Sequence, residues 1–175
     1  MKSALQQLAN QIAHETQDLT TEQLNWREKG KWSVGEILEH LSLTYSGTKL
    51  AFDRCLQSGK PSARVPSATD RVRAFVVTRL GYLPNGREAP AGTRPKGAAS
   101  ESIREDFANK ISLMEASIEE SERRFGKGAK VLDHPLLGPF TANEWRRFHW
   151  VHGRHHLSQI RRLRKLIEAE RAAQV

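Results

Sequence analysis

Four of the seven histidines in this chain of 175 residues fall between positions 149 and 156, within "FHWVHGRHHLSQI" (148–160). His152 and His156 are four apart, so a helix stacks them one turn from each other on one face, with Cβ atoms roughly 6 Å apart. A neutral imidazole is a Lewis base, and this is the spacing with which a helix offers two of them to one metal ion. His149 borders the same face, where it would close a coordination sphere, whereas His155 points about 60° or more away. The stripe around the pair is Trp145, Phe148, Ile160 (or Gln159), Leu163 and Ile167. With leucines at 152 and 156 it would be an unbroken core. An unpaired buried polar group costs on the order of 1–3 kcal/mol, so two imidazoles one turn apart point to a shared ligand. The plainer alternative is a pair of core histidines satisfied by protein groups.

A third ligand would have to come from another helix. His40 lies beside Ile37 and Leu41 on an apolar stripe, so it can face the same interior or stand as a flank histidine. Three neutral imidazoles suit Zn²⁺ first, with Ni²⁺ or Fe²⁺ as alternatives, and leave a position open for water or substrate. Glu36, one turn before His40, is a weak candidate for a general base or for a partner of an imidazole N–H. Its place three residues after Ser33 already accounts for it as a helix cap. Cys55 has no neighbour that lowers a thiol pKa and reads as a small core residue. His14, on the surface side of the first helix, and His134, before Pro135 in an expected loop, fall outside the chemistry.

The elements that must position these residues read as helices. Leu5, Leu8 and Ile12 predict an amphipathic helix over 3–18, followed by a short turn capped at Thr20 or Thr21. Ser33 with Glu36 forms a capping box that opens a second long helix, and Ser58-Gly59 ends it. Residues 59–97 hold five of the seven prolines and read as a long connection that is either functional, such as a lid, or partly ordered. Its "RVRAFVVTRLGYL" predicts a short helix across the bundle, too apolar to stay in water. A third long helix is predicted from about Ala98 to "RFGKG". "DHPLLGPFTANEW" reads as a loop, and Thr141 with Glu144 opens a fourth helix that runs to about Ala169. The expectation is one all-α domain over 1–175, a four-helix bundle with a long irregular segment between helices 2 and 3.

A single cysteine excludes an internal disulfide and fits a reducing compartment. No stretch approaches the ~18 apolar residues of a membrane span, so a soluble, cytoplasmic protein is expected. The net charge of +8 raises a nucleic-acid partner. However, the basic residues are spread along the chain, and the densest run, Arg161–Lys165, suits the negative end of a helix dipole. No nucleic-acid-binding motif accompanies them, so no specific nucleic acid is expected.

"GKWSVGEILEHL" and "HPLLGPFTANEWRRFHWVHGRHHLSQI" resemble the DinB-like superfamily, bacterial damage-inducible bundle proteins described as metal-dependent hydrolases and distinct from the similarly named polymerase. The resemblance extends over nearly the whole chain and is thinnest in 59–97. The family's Trp-Ser helix opening matches Trp32-Ser33, its helix-2 ligand His40, and its H-x-x-x-H pair His152 and His156, followed by Gln159. Where many relatives read His-Arg-Gly-Gln, this chain has "HLSQ", so Leu157 and Ser158 depart without touching a ligand. The resemblance implies a divalent metal on three histidines in a bundle that is often dimeric. It does not imply a reaction: members resemble hydrolases, yet relatives include thiol transferases and isomerases that use low-molecular-weight thiols, so the expectation is a small-molecule substrate with hydrolysis or thiol transfer. A bundle that binds metal or a small molecule without catalysis is the alternative.

Overall fold

Helices begin where the sequence supplies an acceptor for their first N–H groups. Ser3 accepts from Gln6 and opens α1, Ala4–Thr16. Thr20 and Gln23 form a capping box before the short α2, Thr21–Asn25. Ser33 and Glu36 do the same for α3, Val34–Ser58, which stops where Gly59 turns left-handed at φ +73°. Ser67 and Asp70 cap α4, Ala68–Thr78. After a 3-10 turn at Ala91–Thr93 come α5, Ser102–Phe125, two strands, and α6, Ala142–Ala173. These positions come from a computed structural model that describes residues 3–83, 88–97 and 102–173.

The chain is mostly helical, as expected. α3 runs along α5, α1 lies against α5 and α6, and α6 closes on α3 and α5. Their apolar stripes share one core that includes Leu8, Ile12, Leu41, Tyr45, Phe52, Phe107, Ile118, Trp145 and Ile160. The expected start of the third long helix at Ala98 lies outside the described residues.

Two expectations are corrected. The region read as a loop holds an antiparallel hairpin, β1 (Lys130–His134) and β2 (Gly138–Thr141), with a bulge between Lys130 and Leu132. Pro135 and Pro139 read as breakers, yet Pro135 sits in the turn and Pro139 on a two-stranded ribbon, where a missing N–H costs little. His134 is therefore a strand residue. The second correction concerns the 59–97 segment. The predicted short helix exists as α4, packed on α6 and β2, but only Ala74 and Val77 of its apolar residues are buried. Val72, Phe75, Leu80 and Tyr82 are 63%, 54%, 66% and 60% exposed.

Candidate metal centre

The capping box that starts α3 fixes its phase: Ser33 N–H donates to Glu36 Oε2 at 2.8 Å and Glu36 N–H to Ser33 Oγ at 3.1 Å. One turn on, His40 faces inward and is 5% exposed. The Thr141–Glu144 box does the same for α6 at 2.7 and 3.2 Å, which turns His152 and His156 toward α3. The three imidazoles meet. His152 Nε2 lies 3.2 Å from His40 Nε2 and 3.1 Å from His156 Nε2, and one ring nitrogen from each histidine falls within 4.8 Å of the other two. Trp32 stacks on His156 at 19° and Phe148 on His152 at 10°, so aromatic rings hold two of the three imidazole planes.

The partners of the outer nitrogens set the tautomers. His40 Nδ1 is 2.7 Å from the carbonyl oxygen of Thr93, which can only accept. His156 Nδ1 is 2.8 Å from Gln159 Oε1. Both Nδ1 atoms therefore carry the proton, and both Nε2 atoms present lone pairs to the centre. His152 Nε2 has at most one proton to share between them, so the contacts cannot all be hydrogen bonds. If that proton sits on Nδ1 instead, it faces no acceptor, for His152 Nδ1 is buried and unpartnered among the described residues. Lone pairs that converge this closely repel unless a cation lies among them. Tetrahedral zinc, with Zn–N of about 2.0–2.1 Å, spaces its nitrogens by about 3.3 Å. The donor set and its spacing fit a divalent ion of the borderline class.

Burial also keeps the imidazoles in the ligating form. It pushes His156 down to about 3 and His152 well below the usual range. His40 is lowered too, against the opposing pull of its bond to Thr93. All three are neutral at neutral pH.

The family model of the DinB superfamily matches residues 4–160. The chain belongs to the DinB superfamily. It is 23% identical over 161 residues to Uncharacterized protein YuaE of Bacillus subtilis (strain 168), covering 89% of this chain and 91% of that protein. No solved structure matches the chain.

The remaining candidates of this DinB-superfamily chain fall outside the trio. His149 does not close the centre: it is fully buried against Trp145, Tyr45 and Phe148, with both nitrogens unpartnered among the described residues. Both carboxylate oxygens of Glu36 are engaged, by Ser33 N–H and by the Arg27 guanidinium at 3.2 Å, which favours its capping role. Cys55 is buried, its thiol pushed up chiefly by that burial. His134, expected in a loop, packs its ring 4.4 Å from that of Phe148, and burial lowers it to about 4. His14 is exposed on α1. His155, set aside by its angle, receives Gln159 Nε2 at 3.1 Å and so braces the residue that orients His156. Sequence reasoning missed Thr93 entirely, since a main-chain carbonyl leaves no signature.

A surface groove of about 660 Å³ lies elsewhere, between α1 and α6, and is lined by Arg154, Arg161, Arg162 and Lys165. Arg161 and Arg162 pair with Glu15 and Glu28, which makes it a solvated helical face rather than part of the centre. Among the described residues, no helix is long and apolar enough to cross a membrane.

Proposed function

We propose that this protein is a divalent-metal-dependent enzyme acting on a small molecule, with His40, His152 and His156 as ligands and Zn²⁺ as the first choice of metal. The reading takes residues 1–175 as one four-helix-bundle domain of a cytoplasmic protein, a homodimer in keeping with its family resemblance. The observation that carries it is the convergence of three lone-pair nitrogens whose other ring atoms are, in two cases, already hydrogen-bonded. With His149 turned into the core, three protein ligands remain, the number that leaves one position free for an exchangeable group.

A bound divalent ion supplies Lewis acidity and lowers the pKa of a water or thiol placed in that free position. The chain's own contribution is to hold three neutral imidazoles in fixed planes and to wall the centre with Trp32 and Phe148. Among the described residues no carboxylate joins the cluster, so no side chain next to the ligands stands ready as general base. That favours chemistry in which the nucleophile is acidified by the ion itself: hydrolysis, or transfer involving a low-molecular-weight thiol. A bundle that binds metal without catalysis draws on the same lack of an acid–base group.

The deciding experiment is cobalt substitution followed by titration with azide and with a simple thiol. Visible bands that shift on addition are expected from an open position. A spectrum indifferent to both ligands would mean a closed, structural site.

A further inference from the structure

The centre is tied to a segment of the long connection through two neighbouring residues of α3. Residues 88–97 carry their own bracing: Thr93 Oγ1 donates to the Pro90 carbonyl at 3.1 Å, and Arg94 Nε to the Ala89 carbonyl at 3.0 Å. None of these ten residues is buried. Among the described residues, three hydrogen bonds fasten the segment to the rest of the molecule, and all of them land on Glu39 and His40. Glu39 Oε2 accepts from Lys96 N–H at 3.0 Å and from Gly97 N–H at 3.2 Å. The third is the His40 Nδ1–H bond to the Thr93 carbonyl. Gly97, the second of the two donors, takes φ +99°, a conformation open to glycine.

We propose that Glu39 is a positioning residue for the metal centre: by clamping the 88–97 segment it holds the Thr93 carbonyl on His40, so that segment docking and metal binding strengthen each other. This rests on the three-histidine metal reading. The His40 ring has one outer nitrogen to anchor it, and that anchor is a main-chain atom in a segment none of whose residues is fully buried. Without the clamp the carbonyl departs, Nδ1–H faces water, and the ring is free to rotate or to move its proton to Nε2. Either change removes the lone pair from the centre. The clamp is suited to the task because a carboxylate accepting two N–H bonds makes charge-assisted hydrogen bonds, about twice as strong as neutral ones. Docking held by so few hydrogen bonds and by no fully buried residue sits at the low-stability end of the structure, where a ligand is able to bias it. Reciprocity then fixes the sign of both effects: whatever factor docking adds to metal affinity, metal adds to docking.

The test uses the full chain and Zn²⁺ alone. Zinc affinity is measured by competition with a chromophoric chelator for the wild type, Glu39→Gln and Glu39→Ala, and amide hydrogen exchange at Lys96 and Gly97 is followed with and without zinc. Glu39→Ala is expected to weaken zinc about 10–100-fold, the usual effect of losing a partner behind a ligand. Glu39→Gln, which keeps an acceptor oxygen, is expected to fall between. The melting temperature of both metal-free variants should stay at the wild-type value, since the clamp touches no core residue. In the wild type, zinc should slow exchange at the two amides by a factor matching the affinity loss. Equal zinc affinity in all three proteins, or exchange at Lys96 and Gly97 that ignores zinc, overturns the coupling while leaving the metal reading intact. A wild type that binds no zinc overturns both.

Discussion

His149 lies nearly parallel to Trp145, ring centroids 5.6 Å apart at 25°, and neither of its nitrogens has a hydrogen-bond partner among the described residues. Burial, aided by repulsion from His134, pushes it down to about 3, against an ordinary 6.5. As pH falls below about 6.5 the unfolded chain takes up a proton at this position and the folded chain does not, so stability falls. Between about pH 6.5 and 3 the expected loss is about 1.4 kcal/mol per pH unit for this residue. Urea unfolding across that range should show His149→Phe with a shallower slope, by about one proton, and with little loss at pH 7. An unchanged slope would show that His149 is protonated in the fold after all.

The second prediction concerns the ligands. His152→Ala and His156→Ala should each abolish stoichiometric divalent metal, measured by elemental analysis of untagged protein, while circular dichroism reports the helices intact. His40→Ala should behave likewise. Full metal content in the mutants would place the ion elsewhere.

What could be read in the sequence follows from which signals are local. Ser33 with Glu36 and Thr141 with Glu144 lie three residues apart, and both capping boxes form as their spacing implies. The His152–His156 pair is set by helical pitch, and His40 by the stripe of Ile37 and Leu41, so their meeting was legible once two helices were expected to face each other. The hairpin was not. Its strands of five and four residues carry one proline, with a second in the turn between them, and their pairing is a non-local event. The exposure of Phe75 and Tyr82 was equally hidden, because an apolar run does not say how much of it another element will cover. Thr93 acts through its backbone, which every residue type shares.

Metal removal offers a third prediction. Ligands from two packed helices pre-assemble the centre, so bound metal stabilises the fold by mass action, yet the core is large enough to stand without it. Chelation should lower the melting temperature by several degrees and leave room-temperature helicity nearly unchanged. The unperturbed histidine pKa would place the loss of this increment just below pH 6.5. Burial of all three ligands moves the window down. Protons compete in the folded site only at lower pH than for free imidazoles, so the increment should fade in more acidic solution than the unperturbed value implies. Outright unfolding on chelation at neutral pH would mark the metal as structural.

Charge gives a fourth. Arg161, Arg162 and Arg164 in the densest basic run pair with Glu15, Glu28 and Asp18, so that run offers no ready-made site for a nucleic acid, and any contact would rest on non-specific charge. DNA binding should be weak, blind to sequence and steeply salt-dependent. Submicromolar, sequence-selective binding at physiological salt would contradict the small-molecule reading.

The last prediction tests how α6 is held beside the centre. Gly153 directly follows His152, inside a helix, where alanine would ordinarily add about 0.5–1 kcal/mol. Here a Cβ would run into the Leu8 side chain and come within 3.1 Å of the Tyr45 hydroxyl. Leu8 and Tyr45 are 2% and 0% exposed, so neither has room to swing aside, and overpacking of this kind costs about 1–3 kcal/mol. The steric cost exceeds the helical gain. Gly153→Ala should therefore be net destabilising by about 1–2 kcal/mol by chemical denaturation. It should also weaken zinc, because the α6 backbone must shift next to His152. Leu8→Ala opens space at that contact, so the double variant should be less destabilised than the two single effects added together. Strict additivity would mean that Leu8 is not what Gly153 makes room for, and a stabilised Gly153→Ala would mean that the α1–α6 contact yields more readily than its burial implies.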